Sequence, residues 1–401
     1  MPDSPAHGLP LRRALPALLL IAGVFFLNFL SRVALAPLLP AVEADLGLGH
    51  GASGGLFLHI ALGNAAGLLL SGLVSARLGH RRTIAATALA LGAASCAAAG
   101  AGEGLWFRGC LTAMGLAAGV YLPSGVASIM ALVRPADWGK AVAVHEMAPN
   151  AAFVAAPLLA EAALALAGWR AALLALGLAQ AALGLVFLRW GRGSEARGRP
   201  LSPRTVAAIA GRGRFWLLAA CFCLASAGSF APFTMLTLYL TDLGRPRPEV
   251  NQLLALSRLC ALFMPMLAGV LVDRIGARPA AAAAFACNAL ALAGLSLASG
   301  GLLTALVVVQ PMTALLFYPA GFTILSRLHG PDTRSAAVAL ITPLSIVCGV
   351  GLAPLLMGVL GEAGHFRAGY GAVAALVAAG ALLAPLLRSP KVGAAGAEGG
   401  V

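Results

Sequence analysis

Apolar residues fall in runs of about twenty along almost the whole chain, with short polar stretches between them. A run of that length, folded as an α-helix, crosses the roughly 30 Å hydrocarbon core of a bilayer. The pattern therefore predicts an all-α membrane protein with twelve transmembrane helices. The predicted spans are 14–40, 54–76, 83–102, 105–132, 139–164, 169–189, 214–240, 249–272, 279–299, 302–326, 336–361 and 367–388.

The composition agrees with lipid as the main solvent. Hydrophobic residues make up 60% of the 401 residues and charged residues only 10%, against roughly 25% charged in a soluble domain. The net charge of +13 comes from basic residues scattered between apolar runs, a pattern of membrane topology that argues against a nucleic-acid partner. All 7 cysteines lie inside apolar runs, which favours small packing residues over metal ligands or disulfides.

The distribution of the 27 Lys and Arg residues predicts the orientation. Two of them lie inside helices, and twenty lie near the termini or after an even-numbered helix. The remaining five lie on the opposite side, at the connections that lead from an odd-numbered helix to the next even-numbered one. They are Arg108, Arg170, Arg245, Arg247 and Arg367. Since basic residues stay on the cytoplasmic side, we expect a multi-pass protein of a bacterial cytoplasmic (inner) membrane with both termini in the cytoplasm.

The longest polar stretch divides the chain near its middle. It is rich in Arg, Gly, Ser and Pro, as expected of a linker. We predict an N-terminal six-helix bundle over 1–188, a basic cytoplasmic linker over 189–213 and a C-terminal bundle over 214–401. The arginines of the linker are expected to meet anionic headgroups of membrane lipids, and the protein is expected to be a monomer.

An internal repeat relates the two predicted halves. Residues 72–81 read G-x-x-x-A-R-x-G-x-R and residues 269–278 read G-x-x-x-D-R-x-G-x-R, a shift of 197 residues. The sequence Ala-Pro-Leu-Leu at 156–159 recurs at 353–356 with the same shift. Such repeats are typical of transporters built from two homologous units. The motif residues are Gly72, Arg77, Gly79 and Arg81 in the first copy and Gly269, Asp273, Arg274, Gly276 and Arg278 in the second.

The motif resembles the signature loop of the major facilitator superfamily. Gly115, Gly119 and Pro123 of the fourth helix and the pair Trp169-Arg170 are also similar to that family. The resemblance implies two pseudo-symmetric six-helix bundles, alternating access and a cytoplasmic gating role for both motif copies. Ala76 stands in the first copy where the family usually has Asp.

Two arginines lie inside predicted spans. An ionised side chain in mid-membrane costs about 2.5–3.5 kcal/mol on insertion scales, so it usually faces a cavity and serves function. Arg32, one turn after Asn28, and Arg258 are therefore candidates to bind an anion; the alternative is a structural role for each. Further candidates for contact with the substrate are Tyr121, Tyr318, His59 and Asn150.

His145 and Glu146 are the best candidates for proton coupling. Both lie near the start of the fifth predicted helix. Histidine titrates near neutral pH, and partial burial brings a glutamate toward that range. The alternative is that both face the cytoplasm at the helix mouth.

The sequence predicts a secondary active transporter of a small organic anion, similar to a monocarboxylate, working as a proton symporter. Family members that carry monocarboxylates, or nitrate and nitrite, resemble it in having an arginine in helix 8. The alternatives are a multidrug efflux antiporter and a nitrate- or nitrite-like porter; a non-transporting membrane receptor is a further class. The chain has no nucleotide-binding loop, nucleophile triad or metal set, so neither an enzyme nor a cofactor is expected.

Overall fold

The computed structural model of the chain describes residues 8–102 and 104–387, without the side chains of residues 331 and 332. The ends of the two predicted bundles, 1–7 and 388–401, lie outside this range. Twelve helical spans long and apolar enough to cross a membrane are present in the described part, which confirms the predicted number. They are α1 Leu11–Leu46, α2 His50–Leu78, α3 His80–Ala99, α4 Leu105–Leu132, α5 Pro135–Leu166, α6 Trp169–Trp190, α7 Gly213–Asp242, α8 Arg247–Ile275, α9 Ala277–Leu297, α10 Gly300–Leu328, α11 Thr333–Glu362 and α12 Phe366–Leu386.

The helices form two six-helix bundles, α1–α6 and α7–α12, so the fold class is confirmed. A short linker helix, Pro203–Ala210, precedes α7. Several observed helices extend beyond the predicted apolar run: α1, predicted over 14–40, covers Leu11–Leu46. The predicted division of the chain at residues 188 and 214 stays a prediction.

The repeat-related glycines of the motif form equivalent turns. Gly79 ends α2 with φ 76° and Gly276 ends α8 with φ 87°. These angles lie in the region where glycine carries no steric penalty. Each motif therefore ends one helix and starts the next within a single residue, which explains the spacing around Gly79 and Gly276 independently of any charge.

The second bundle is less regular than the first. Helix α8 is interrupted between Ala261 and Met264, and α10 between Ala314 and Phe317, while their repeat counterparts α2 and α4 are continuous. Helix α11 widens into a π-helical turn over Val347–Leu352. Such turns often occur at functional positions, and the break in α8 lies directly after the turn that carries Arg258.

Glycines set the contact between α2 and α4. A Cβ on Gly115 would lie 2.9 Å from the backbone nitrogen of Asn64, and a Cβ on Gly119 would lie 2.8 Å from that of Leu68. Close approach of backbones through small residues is the usual way in which membrane helices associate. The two helices are therefore fixed against each other, and Asn64 is held next to the interior of the first bundle.

Candidate functional site

Arg258 lies buried between the two bundles. Its side chain is 6% exposed, and its Cζ lies 4.5 Å from the ring centroid of Phe153 in α5 and 4.5 Å from that of Phe233 in α7. One terminal nitrogen donates to the carbonyl oxygen of Ser229 at 3.3 Å, and Nε has no hydrogen-bond partner. Among the described residues no carboxylate lies within 4.0 Å of this guanidinium.

Arg32 occupies a more polar environment in α1. Its Nε donates to the backbone oxygen of Asn28 and one terminal nitrogen to the Asn28 side-chain oxygen, both at 3.4 Å. The other terminal nitrogen lies 3.2 Å from the Asn64 side-chain amide; with the amide oxygen turned toward Arg32, that oxygen accepts from the guanidinium and from the Gly119 N–H. Two amides thus hold Arg32, and no carboxylate in the described chain forms an ion pair with it.

Phenylalanine rings connect the two arginines. The Cζ of Arg32 lies 4.7 Å from the centroid of Phe29. The centroid of Phe29 lies 5.1 Å from that of Phe153, which in turn lies 4.8 Å from Phe233 and 5.9 Å from Phe230. Phe29 and Phe153 belong to the first bundle and the other two to the second, so this ring cluster crosses the interface between the bundles.

A small cavity lies against the ring cluster. Arg32, Asn64 and Thr234 supply its polar groups, and the remaining lining is apolar. Its volume is about 30 Å³, whereas pockets that hold small-molecule ligands usually have about 300–1,000 Å³. The site is therefore contracted in this conformation, and a larger ligand requires the bundles to move apart.

The other substrate candidates divide into two groups. Tyr318 lies beside Arg258, with its hydroxyl 3.5 Å from Ser229 Oγ, and Asn28 contacts Arg32 as described. His59 does not line the cavity, although Ala61, two residues later in the same helix, does. The His59 ring lies 3.5 Å from the hydroxyl group of Thr112 in α4 instead. Asn150 donates to the backbone oxygen of Glu146 one turn earlier, so neither His59 nor Asn150 reaches the two arginines here.

Tyr121 belongs to a different group, around His145. Its hydroxyl donates to the carbonyl oxygen of Ile21 at 2.9 Å and lies 3.1 Å from His145 Nε2. The His145 ring is fully buried and stacks on Phe25 with centroids 4.3 Å apart. The structure thus brings Tyr121 together with His145, and neither residue lines the cavity.

The contacts of His145 link a buried ring to Glu146. The Tyr121 hydroxyl donates to Ile21, so its oxygen is free to accept from an N–H at His145 Nε2. His145 Nδ1 lies 3.1 Å from Glu146 Oε1. Glu146 is 52% exposed, so these contacts connect the buried ring with the helix surface.

The gating motif residues make few polar contacts. Arg81 Nε donates to Gly191 O and its terminal nitrogen to Leu188 O, both at 2.8 Å. The Arg77, Asp273, Arg274 and Arg278 side chains form no hydrogen bond or ion pair within the described part of the chain. Gly72 packs against the linker, because a Cβ there would lie 2.8 Å from Arg199 O, whereas Gly269 faces open space.

Polar contacts between the bundles occur at the end opposite the termini. His50 Nε2 lies 3.0 Å from Asp242 Oδ2, and the Gly51 N–H donates to Glu362 at 2.9 Å. Glu161 of α5 accepts from Arg247 at 3.0 Å and from Asn251 at 2.6 Å. Over residues 8–102 and 104–387, no hydrogen bond or ion pair joins the bundles at the other end, so this conformation is closed opposite the termini.

Sequence reasoning missed the ring cluster and this closed end. Phenylalanine in an apolar helix carries no distinguishing signal, and the chain has 16 of them. The acidic residues near the helix ends were readable as solvated groups. Only their spatial pairing with His50 and Arg247 gives them a role, and that pairing depends on tertiary structure.

Comparison with known proteins places this fold. Solved structures with the same architecture include a bacterial homolog to the human lysosomal transporter Spinster in an inward-facing and occupied conformation, with a TM-score of 0.78, 14% identity and 95% and 97% of the two chains covered. The nucleoside transporter NupG gives a TM-score of 0.80 at 14% identity, covering 92% and 99%. A D-xylose-proton symporter gives 0.76 at 14% identity, covering 92% and 96%.

No curated protein matches the sequence. The family model described as Major Facilitator Superfamily matches residues 21–256 and 218–400, and these segments together span the chain from the middle of α1 to the tail. The resemblance inferred from the motif is confirmed, and the protein is a transporter by family rather than an enzyme. The chain belongs to the major facilitator superfamily.

Proposed function

We propose that the protein transports a small organic anion, similar to a monocarboxylate, by proton-coupled alternating access. The observation that carries this proposal is Arg258. A buried cation without a counter-charge costs several kcal/mol, and Arg258 has one carbonyl oxygen, two aromatic faces and an unpartnered Nε. A carboxylate that docks on this guanidinium supplies the missing charge and forms bidentate hydrogen bonds.

Arg32 is the second anion-binding group of the proposal. Its amide partners Asn28 and Asn64 orient the guanidinium without neutralising it. The cavity at Arg32 and the ring wall of Arg258 share Phe233. An anion between the bundles therefore meets positive charge from both sides, which also argues against the cationic drugs of the efflux alternative.

Proton coupling is proposed at His145 and Glu146. The contacts of the buried His145 ring with Tyr121 and Glu146 support this assignment, and the exposed Glu146 supplies a route to the ring. With both termini in the cytoplasm of a bacterial inner membrane, as the arginine distribution favours, the observed conformation corresponds to the inward-facing state. The monomeric state is part of the same proposal.

The test is uptake by purified protein in proteoliposomes. Radiolabelled acetate, lactate and benzoate serve as probes, with nitrate and a cationic dye for the alternatives. We expect Arg258→Gln to abolish saturable uptake and Arg258→Lys to retain part of it. Arg170→Gln is the matched control, because Arg170 pairs with Asp45 away from the cavity. Saturable anion uptake by Arg258→Gln at wild-type affinity would refute the proposal.

A further inference from the structure

The wall around the two arginines is built mainly from aromatic rings. Phe29, Phe57, Phe230 and Phe233 line the cavity at Arg32, and Phe153 joins them through its contacts with Phe29 and Phe233. Phe57 and Phe233 are buried, whereas Phe29, Phe153 and Phe230 are partly exposed. Three rings therefore keep surface available for a ligand at the point where the bundles meet.

Arg258 lies in a corner formed by two of these rings. The planes of Phe153 and Phe233 meet at 85°, and the guanidinium carbon lies 4.5 Å from both centroids. The hydrogen bonds of a guanidinium are directed in its own plane. A carboxylate bound to Arg258 therefore lies beside Phe153 and Phe233, and the group attached to it is close to the ring cluster.

The same lining is poor in groups that could pair with additional polar substituents. Apart from Arg32, the described cavity offers Asn64 and Thr234 as polar side chains, and Asn64 is already bonded to Arg32 and Gly119. A hydroxyl or ammonium group that is buried without a partner is penalised. At the Arg32 side this lining disfavours substrates that carry several additional polar groups, such as sugars; at the Arg258 side, Tyr318 adds a hydroxyl group.

We propose that the transported anion is an aromatic monocarboxylate of the benzoate class, and that Phe153 and Phe29 determine this specificity. The inference rests on the proposed function and specifies its substrate. Aromatic pairs contribute about 0.5–1.5 kcal/mol beyond the area that they bury, an advantage that a ring has over an aliphatic chain. Because Phe153 and Phe233 belong to different bundles, the ligand ring takes its place as the bundles separate.

The experiment is equilibrium binding to the purified full chain, with benzoate, cyclohexanecarboxylate, acetate and lactate as probes. We expect benzoate to bind about tenfold more tightly than acetate or lactate, with cyclohexanecarboxylate weaker than benzoate. Phe153→Leu should lower benzoate affinity about tenfold and leave acetate affinity unchanged. Phe322→Leu is the matched control, since Phe322 is 45% exposed on α10 and outside the ring cluster.

The outcomes distinguish this inference from the proposed function on which it rests. Equal affinity for benzoate and acetate, equal losses of both in Phe153→Leu, or benzoate binding no tighter than cyclohexanecarboxylate overturns the aromatic specificity. Binding of the anions that still depends on Arg258 leaves the proposed function standing in those cases. Absence of any Arg258-dependent binding overturns both. Phe29→Leu replaces Phe153→Leu as the test if the latter variant does not fold.

Discussion

His50 of the first bundle and Asp242 of the second face each other at 3.0 Å between Nε2 and Oδ2. On its other side His50 Nδ1 lies 2.6 Å from Glu43 Oε1, although the angle is too poor for a hydrogen bond. His50 is therefore a contact between α2 of the first bundle and α7 of the second, at the end opposite the termini.

Replacing His50 by Gln should shift the protein away from the conformation closed opposite the termini, because Gln does not reproduce the 3.0 Å contact of the imidazole Nε2 with Asp242. The shift is measurable as a longer distance between two spin labels, one near the start of α2 and one near the end of α7. Arg170→Gln is the control, since its partner Asp45 belongs to the same bundle. An unchanged distance distribution in His50→Gln would show that this pair does not stabilise closure.

Glu146→Gln should uncouple transport from the proton gradient. The amide cannot take up a proton, so the shared position with His145 Nδ1 is lost. We expect gradient-driven accumulation to disappear while exchange of labelled for unlabelled anion across the membrane continues. Both are measured in the same proteoliposomes. Loss of exchange together with accumulation would instead assign Glu146 a role in binding or folding.

Gly115→Ala should destabilise the protein by about 1–3 kcal/mol, since the added methyl group overpacks the contact between α4 and α2. Its Cβ would lie 2.9 Å from the Asn64 backbone nitrogen. Gly109→Ala in the same helix is the matched control, because its Cβ meets nothing within 4 Å. Thermal unfolding in one detergent compares the two, and similar melting temperatures would contradict the packing argument.

Acidification should destabilise the fold through His329, which follows α10. Burial and the charge of Arg212 hold the pKa of His329 below its ordinary value of 6.5. The unfolded chain therefore binds the proton more readily than the folded chain. The stability that neutral His329 contributes is complete above pH 6.5 and is lost as the pH falls through the lowered folded pKa. His329→Gln should flatten the dependence of the melting temperature on pH below 6.5, and an unchanged profile would contradict this assignment.

The sequence was sufficient to predict the helices and to single out the two arginines inside them, for physical reasons. A bilayer imposes a minimum apolar length, and a charge inside such a run is costly enough to stand out. Arg32 and Arg258 are visible on that ground alone. The repeat also predicted two related bundles, because Gly79 and Gly276 form the same turn at equivalent positions.

The environment of those arginines could not be read from the sequence. Whether Arg258 meets a carboxylate or a ring depends on which faces of α5, α7 and α8 converge. The turn-by-turn orientation of Tyr121 was also beyond reach, since a mid-membrane tyrosine can face a cavity or a neighbouring helix. Its contact with His145 emerges only from packing inside the first bundle.

The segment after α6 sets how far the two bundles can travel. Backbone hydrogen bonds join Arg81 to Ser194 at 2.9 Å, His80 to Ala196 at 3.2 Å and Gly198 to Ser75 at 3.2 Å. Residues 191–198 are therefore held on the first bundle by backbone hydrogen bonds and move with it. Residues 199–212 are then the connection that changes shape when the bundles move in a transport cycle. The linker helix Pro203–Ala210 occupies much of this stretch. The connection therefore spans a shorter distance than the full polar segment would.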